Sequence, residues 1–313
     1  MSKSVLYLHA LTPMHPGSGT ALGVVDLPVQ RERHTHWPLI PGSSLKGVLR
    51  DAWRERAFKE EDLEDRKAAN ESIWVKRLFG PPAIGSDEGK AHMGAISVTD
   101  ARILAFPVRS LRGVFAWVTC PAVLGRLKRD LSLAGYKEIP ECFDQVESEQ
   151  AYVVENSPLL VDKTHVLLEE FEFTAKIHSG LQKLFDWLPE QIFQSTDEST
   201  QQQARRNMVI LSDDDFTHFV RHATEVVARV GLDYNTKTAK PGALFYEEFL
   251  PAETLFYSLI LADSSRDGEN ALSAQDVMQE FAEHLPRYLQ VGGDATIGKG
   301  LCALNLKQGG VEE

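Results

Sequence analysis

The stretch Pro41-Gly42-Ser43-Ser44-Leu45-Lys46-Gly47-Val48-Leu49-Arg50-Asp51-Ala52-Trp53-Arg54 decides how the chain is read. Leu45, Val48, Leu49, Ala52 and Trp53 follow i, i+3, i+4, i+7 and i+8, the apolar face of a helix. Pro41 and Gly42 punctuate its start, and serine stands in position to cap the first backbone N–H groups. Lys46, Arg50 and Arg54 recur every four residues as a basic stripe beside that face. A helix N-terminus suits phosphate, because unpaired N–H groups and the helix dipole both favour an anion. The stripe would extend that site along a nucleic-acid backbone. A solvated helix face is the plain alternative, since Asp51 and Glu55 lie nearby.

Upstream, Val5-Leu6-Tyr7-Leu8-His9-Ala10-Leu11 is a β-rich apolar run ended by Thr12-Pro13, the first strand. Met14 to Pro41 is rich in Gly, Pro and His and has no helical period, and connections of that length are functional or disordered. Downstream, residues 60–78 continue as a charged helical stretch broken by Gly80-Pro81-Pro82. Residues 94–106 and 113–120 read as strands joined through Arg109 and Arg112, and 121–134 as a short basic helix. Short strands at 151–154 and 166–174 alternate with helical pieces around 180–193 and 214–222. Gln201-Gln202-Gln203 and the polar stretch before it read as a surface loop. Strands at 224–232 and 254–262 flank a polar segment from Asp233 to Gly242. A helix over 271–289, a glycine-rich stretch and a strand at 301–306 close the chain.

This mixture lacks strict βαβ regularity and predicts an α+β sheet domain with large insertions. A split βαβ, ferredoxin-like core would use strand 1, the helix at 44–57, paired middle strands, the helix at 271–289 and the last strand.

The 313 residues carry a net charge of −12, which at first opposes a polyanionic partner. The distribution changes that. Residues 138–235 hold 19 Asp/Glu against 7 Lys/Arg, whereas residues 1–60 hold 8 Lys/Arg against 5 Asp/Glu. A nucleic-acid groove can therefore use the first third while the acidic middle faces elsewhere, although an ordinary acidic protein has similar composition. Cys120, Cys142 and Cys302 are odd in number and widely spaced, against a disulfide framework or cysteine zinc site. With no apolar run of membrane-spanning length and no export signal, a cytoplasmic protein is expected.

Gly292-Gly293-Asp294-Ala295-Thr296-Ile297-Gly298-Lys299-Gly300 lets the backbone pass close to another chain and turn N–H groups toward an anion. Gly293–Lys299 matches GxxxxGK, but Gly300 stands where a nucleotide-binding loop needs Ser/Thr, and a strand follows instead of a helix. A loop cradling a phosphodiester backbone fits better than a bare turn. Asp26 lies in a Gly/Pro loop with Arg31, Arg33, His34 and His36, which suit RNA phosphates. A carboxylate there suits a divalent cation or a ribose 2′-OH, though most such aspartates are turn residues. Glu32, His34 and His36 form a loose candidate metal cluster. His218-x-x-x-His222 has helical spacing but lacks the glutamate of HExxH, so a solvent-facing turn is the better reading.

Taken together, a first strand ending in Leu-Thr-Pro, then His15-Pro16-Gly17-Ser18-Gly19, the Asp26 loop, Leu39–Gly47 and Gly292–Gly300 resemble the RAMP superfamily. Within it the pattern is similar to the Cas7-type backbone subunits of type III-B CRISPR (Cmr) effectors. The match runs most clearly over residues 1–58 and 224–306.

The resemblance implies a modified RNA-recognition-like RAMP fold. Its palm would use about 1–58, 94–120 and 224–306, with an acidic insertion at about 138–223 and a thumb hairpin at about 231–246. It implies several copies stacked along a CRISPR RNA, contacts with other subunits, and single-stranded target RNA cut at regular intervals. By residue, the catalytic and metal-associated aspartate falls on Asp26, with His15 and Tyr234 as secondary candidates near the scissile bond. The guide-holding helix falls on Ser43, Ser44, Lys46 and Arg50, and the glycine-rich loop on Gly292, Gly293, Gly298, Lys299 and Gly300. Arg31 and Arg33 flank Asp26 as RNA contacts. The implied cofactor is a divalent ion, Mg²⁺ or Mn²⁺, held partly by RNA phosphates because no carboxylate pair surrounds Asp26. A non-catalytic guide scaffold and a nuclease processing CRISPR repeat RNA are the alternatives.

Overall fold

The apolar run at residues 5–11 becomes a central strand, and the rest of the fold is arranged around it. The computed structural model describes residues 1–21, 23–63, 65–81, 92–141, 145–266 and 271–309. In chain order, β1 (Ser2–Ala10) leads through a long loop to β2 (Leu39–Ile40), α1 (Gly42–Glu60) and α2 (Ile73–Phe79). Then come β3 (Ile96–Val98), β4 (Ala101–Arg109), β5 (Phe115–Thr119) and α3 (Pro121–Leu133). The middle third holds β6 (Gln150–Val153), β7 (Leu160–Val161), β8 (His165–Leu168), β9 (Phe171–Ile177) and α4 (Ser179–Ile192). It continues with α5 (Glu198–Asn207), β10 (Met208–Ile210) and α6 (Asp213–His222). Last are β11 (Glu225–Leu232), β12 (Ala239–Phe249), β13 (Leu255–Ala262), α7 (Ala274–His284), β14 (Tyr288–Gln290) and β15 (Leu301–Gln308).

One large sheet runs β14-β15-β1-β13-β4-β5-β10-β6-β9-β8-β7. Within it, β15-β1-β13-β4 are neighbours and every pair is antiparallel. Helix α1 connects β1 to β4 and α7 connects β13 to β15, a pattern of two interleaved βαβ units. Residues 4–10 of β1 are buried without alternation, so the strand is covered on both faces. On the face bearing Tyr7 and His9, the His9 ring meets Phe193, just beyond α4, edge-on at 5.0 Å. On that face too, Tyr257 and Arg102 both bond to Asp130 of α3, at 3.0 and 2.7 Å. The opposite face is closed by α1 and α7, locked together where Trp53 stacks flat on Phe281 at 5.0 Å. The acidic middle does not form a separate body. Its strands extend the same sheet beyond β5.

Several local expectations are corrected. The 94–106 strand is two, β3 and β4, broken at Thr99-Asp100. The 166–174 strand is the hairpin β8–β9, turned at Glu169, whose φ is 50°. Gln201–Gln203 lie inside helix α5, where Asp197 caps the Thr200 N–H, rather than in a loop. Helix α7 stops at His284 because Leu285 is extended ahead of Pro286. The charged stretch at 60–78 is interrupted after Glu60 and resumes in a short 3₁₀ turn and α2. Cys142 and Pro82 lie outside the described residues. Cys120 and Cys302 are buried free thiols, and burial raises both above the usual range, Cys302 to about 12.

Among the named strands β11 and β12 pair only with each other, forming a hairpin outside the large sheet. It spans Glu225 to Phe249, longer than the 231–246 expected. Strand β12 escaped the sequence reading because Pro241 and Gly242 (φ 74°) look like breakers, yet a two-stranded hairpin has open edges that accommodate both. No described helix is long and apolar enough to cross a membrane.

Candidate nucleic-acid interface

Asp26 sits at the root of the hairpin. Its Oδ2 accepts the Tyr246 backbone N–H at 2.7 Å, and the Tyr246 carbonyl accepts the Asp26 and Leu27 N–H groups, both at 3.1 Å. Glu248 N–H returns a bond to the Leu27 carbonyl at 3.0 Å, so residues 26–27 run as an extra extended segment along β12. One carboxylate oxygen is fixed by backbone. The other has no partner among the described residues, and the side chain is only half-buried. That is a pre-oriented carboxylate with one oxygen left unbonded among the described residues.

Glu247 and Glu248, the next two residues of β12, are both buried and tie three segments together. Glu248 accepts from Val29 N–H at 2.9 Å and from the Arg31 guanidinium at 2.5 Å. Its carbonyl lies 2.7 Å from His15 Nδ1, so that nitrogen carries the proton and donates. Nε2 of His15 then faces Glu247 at 3.7 Å. Glu247 pairs with Arg229 at 2.6 Å, and the same Arg229 nitrogen reaches Asp294 at 2.8 Å.

The glycine-rich loop packs directly on this assembly. Gly293 N–H donates to the His15 carbonyl at 2.9 Å and Gly300 N–H to the Pro13 carbonyl at 2.9 Å. A Cβ at Gly292 would stand 2.4 Å from the His15 carbonyl oxygen, and Gly292 has φ 91°, so glycine is required on both counts. Gly298 is left-handed at φ 76° but faces open space. Asp294, also left-handed, starts a 3₁₀ turn over Ala295–Ile297. Lys299 places its ammonium 4.8 Å over the Phe249 ring.

The sequence-predicted residues therefore divide. Asp26, His15, Arg31 and the glycine-rich loop are brought together. His15 is buried with both ring nitrogens facing protein groups, the position of an anchor between loops. Arg31 is committed inward, bonding the His36 and Val220 carbonyls and Glu248, rather than displayed to phosphate. Arg33 is exposed and has no ion-pair partner among the described residues. Tyr234 is 82% exposed in the hairpin turn. Seven residues of β12 separate its level from Tyr246, about 24 Å of strand, so Tyr234 and Asp26 of one chain do not meet at one bond.

The first turn of α1 differs from expectation. Its N-cap is Pro41, Ser43 and Ser44 are exposed and make no cap, and the Gly42 N–H donates to Asp100 at 2.7 Å. A carboxylate from the β3–β4 junction already meets the helix dipole there. The basic stripe is intact behind it. Lys46 donates to the Ile96 carbonyl at 2.8 Å, and neither Lys46 nor Arg50 has a carboxylate partner among the described residues. Burial lowers both of their pKa values, and the neighbouring cation lowers them further, Arg50 acting on Lys46 and Arg54 on Arg50. Two adjacent half-buried cations without a counter-ion are best satisfied by an external anion.

The Glu32–His34–His36 metal reading fails. Glu32 is taken by Arg126 at 2.8 Å and Thr35 at 2.6 Å, and Arg126 also lies 4.8 Å over Trp37. His218 and His222 lie side by side, ring centroids 4.8 Å apart, with no third metal-ligating group converging on them among the described residues. The one described group with metal-binding spacing is Glu280, Glu283 and His284, on α7. Asp26 belongs to no group of three metal-ligating side chains among the described residues. The residues that sequence reasoning missed are Arg229, Glu247, Glu248 and Asp294. For Glu247 and Glu248 the signal is two adjacent carboxylates set in the apolar run Ala243–Phe249.

Comparison with known proteins agrees with this architecture. Residues 7–303 match the RAMP superfamily. The chain is 40% identical over 313 residues to "CRISPR system Cmr endoribonuclease Cmr4" of Pyrococcus furiosus, covering 98% of this chain and 97% of that protein. It is 28% identical to "CRISPR system CMR subunit Cmr4" of Saccharolobus solfataricus, over 95% and 94% of the two chains. Its fold superposes on the crystal structure of oligomeric Cmr4 from Pyrococcus furiosus with a TM-score of 0.72 at 35% identity, covering 100% of both chains. With a family match spanning nearly its whole length and full-length relatives of this kind, the chain belongs to the RAMP superfamily, as a Cmr4-like member.

Proposed function

We propose that the chain is a CRISPR RNA-binding backbone subunit of a type III-B effector in the cytoplasm, and that it cuts bound target RNA. Several copies stack along the guide, beside other subunits of the complex. The observation that carries the catalytic part is Asp26, held by the Tyr246 N–H through one oxygen and open at the other. In this reading Asp26 takes the proton of a target 2′-OH as that oxygen attacks the adjacent phosphorus. The bond to the 5′-oxygen breaks, the leaving oxygen takes a proton from water, and a 2′,3′-cyclic phosphate remains. General-base help of this kind contributes about 10²–10⁴-fold. Because the protein offers one carboxylate, a divalent ion at this place would draw its other ligands from RNA phosphates.

Guide binding uses Lys46 and Arg50, with the glycine-rich loop and Lys299 beside the Asp26 loop. A subunit that tracks a guide needs backbone contacts, since base pairing supplies sequence. Stacking is supported by the hairpin, read here as the thumb. Val226, Val230, Leu244 and Tyr246 are 49, 47, 58 and 42% exposed and lie on one of its faces, an apolar strip that an isolated two-stranded ribbon does not cover. The test is a target RNA with a single 2′-deoxy nucleotide at one regular cleavage position. Loss of that cut alone, with the others retained, is expected. Unchanged cutting there overturns the 2′-OH mechanism.

A further inference from the structure

Arg229 occupies a place that neither guide binding nor proton transfer explains. It projects from β11 onto the hairpin face that carries Glu247. One of its nitrogens touches two carboxylates from separate parts of the chain, Glu247 of β12 at 2.6 Å and Asp294 of the glycine-rich loop at 2.8 Å. Both bonds raise its pKa, the Glu247 bond most, and it stays charged throughout. Glu247 is almost fully buried, and Asp294 sits at φ 60°, its carbonyl accepting the Ile297 and Lys299 N–H groups. Without the guanidinium, two like charges would face each other and the loop would lose its only ion pair to the hairpin among the described residues.

Asp26 hangs on Tyr246, the residue before Glu247 in β12. His15 links the glycine-rich loop to the hairpin root through backbone, and Arg229 adds the charged side-chain link between them, one residue from the strand position that holds Asp26. We propose that Arg229 is a positioning residue for RNA cleavage: it latches the glycine-rich loop to the hairpin root, so that backbone gripped by the loop lies at a set distance from the Asp26 carboxylate. The inference rests on the Asp26 cleavage reading. Misplacing a reacting group by about 1 Å costs on the order of 10²-fold in rate without requiring any loss of binding.

The experiment uses the complex assembled on its guide with Arg229→Ala, Arg229→Lys or Asp294→Asn in this subunit. Asp294→Asn turns only the loop half of the latch from an ion pair into a neutral hydrogen bond and leaves the buried Glu247–Arg229 pair in place, so it guards against a misfolded Arg229→Ala. Asp26→Ala is run alongside. Single-turnover cleavage and target affinity are measured separately. Arg229→Ala and Asp294→Asn are expected to slow cutting about 10- to 100-fold with target affinity changed less than about threefold. Arg229→Lys should recover part of the rate. If Asp26→Ala abolishes cutting while Asp294→Asn cuts at the normal rate, the latch is wrong and the Asp26 reading stands. Proportional loss of affinity and rate in Asp294→Asn, with no recovery by lysine, also overturns the latch. Normal cutting by Asp26→Ala instead overturns the cleavage reading itself.

Discussion

Asp26 and Tyr246 are joined twice: the Tyr246 N–H donates to the Asp26 carboxylate at 2.7 Å, and the Asp26 N–H donates to the Tyr246 carbonyl at 3.1 Å. The pair lies 220 residues apart in sequence. It attaches the loop after β1 to the strand before β13, so a carboxylate in a glycine- and proline-rich segment gains a fixed direction.

Lys46→Ala with Arg50→Ala removes the two half-buried cations that lack carboxylate partners. Guide binding should weaken, and the slope of log affinity against log salt should flatten by about 1–2, since each single-strand phosphate contact contributes about 0.7. Filter binding or fluorescence anisotropy over a salt series checks this. An unchanged slope removes the stripe from the guide path.

Gly292 and Gly298 are both left-handed but differ in what a methyl group would meet. Gly292→Ala drives Cβ against the His15 carbonyl and should cost about 2–4 kcal/mol. Gly298→Ala meets open space and should cost about 1–2 kcal/mol. Urea melts of the two variants give the comparison.

Arg126→Gln frees the Glu32 carboxylate. Burial pushes the Glu32 pKa up, but hydrogen bonds from Thr35 and Arg126 outweigh it, and the net value lies below the ordinary 4.5. A depressed folded pKa adds stability above the unfolded value and loses it as pH falls through the folded one. The stability gap between wild type and Arg126→Gln should therefore be full at pH 7 and shrink below 4.5. Denaturant melts at pH 7, 5 and 3.5 test the sign.

Leu244→Lys places a charge on the exposed apolar strip of the hairpin. The monomer's melting temperature should stay within about 2 °C, because surface changes of this kind fall within ±0.5 kcal/mol. Association of copies along a guide should weaken, measured by sedimentation with guide RNA present.

Much of this arrangement was legible in the sequence, for physical reasons that differ by element. β1, β13 and β15 are apolar enough to be read as strands, and α1 shows its face through Leu45, Leu49 and Trp53. β12 was hidden by Pro241 and Gly242, and α5 by its polar composition, which tertiary contacts through Ala204 override. Asp26 was marked weakly by the Arg and His residues of its loop and more sharply by the resemblance, and its orientation by Tyr246 was invisible. The ion pairs that organise the site join Arg31 to Glu248 and Arg229 to Asp294. Spacing rules reach residues a few positions apart, so pairs this distant leave no local pattern. The serine cap failed for the same reason, because Asp100 arrives from another part of the chain.

The most direct measurement is target cleavage by complexes assembled on guide RNA with Asp26→Asn in this subunit. Asparagine keeps the shape and can still accept the Tyr246 N–H through its amide oxygen, but it loses the negative charge. Guide and target affinities should be unchanged, and cutting at every regular position should fall by about 10²–10⁴-fold. A normal ladder of products from that variant would contradict Asp26 as the catalytic residue and leave this subunit a guide-binding scaffold.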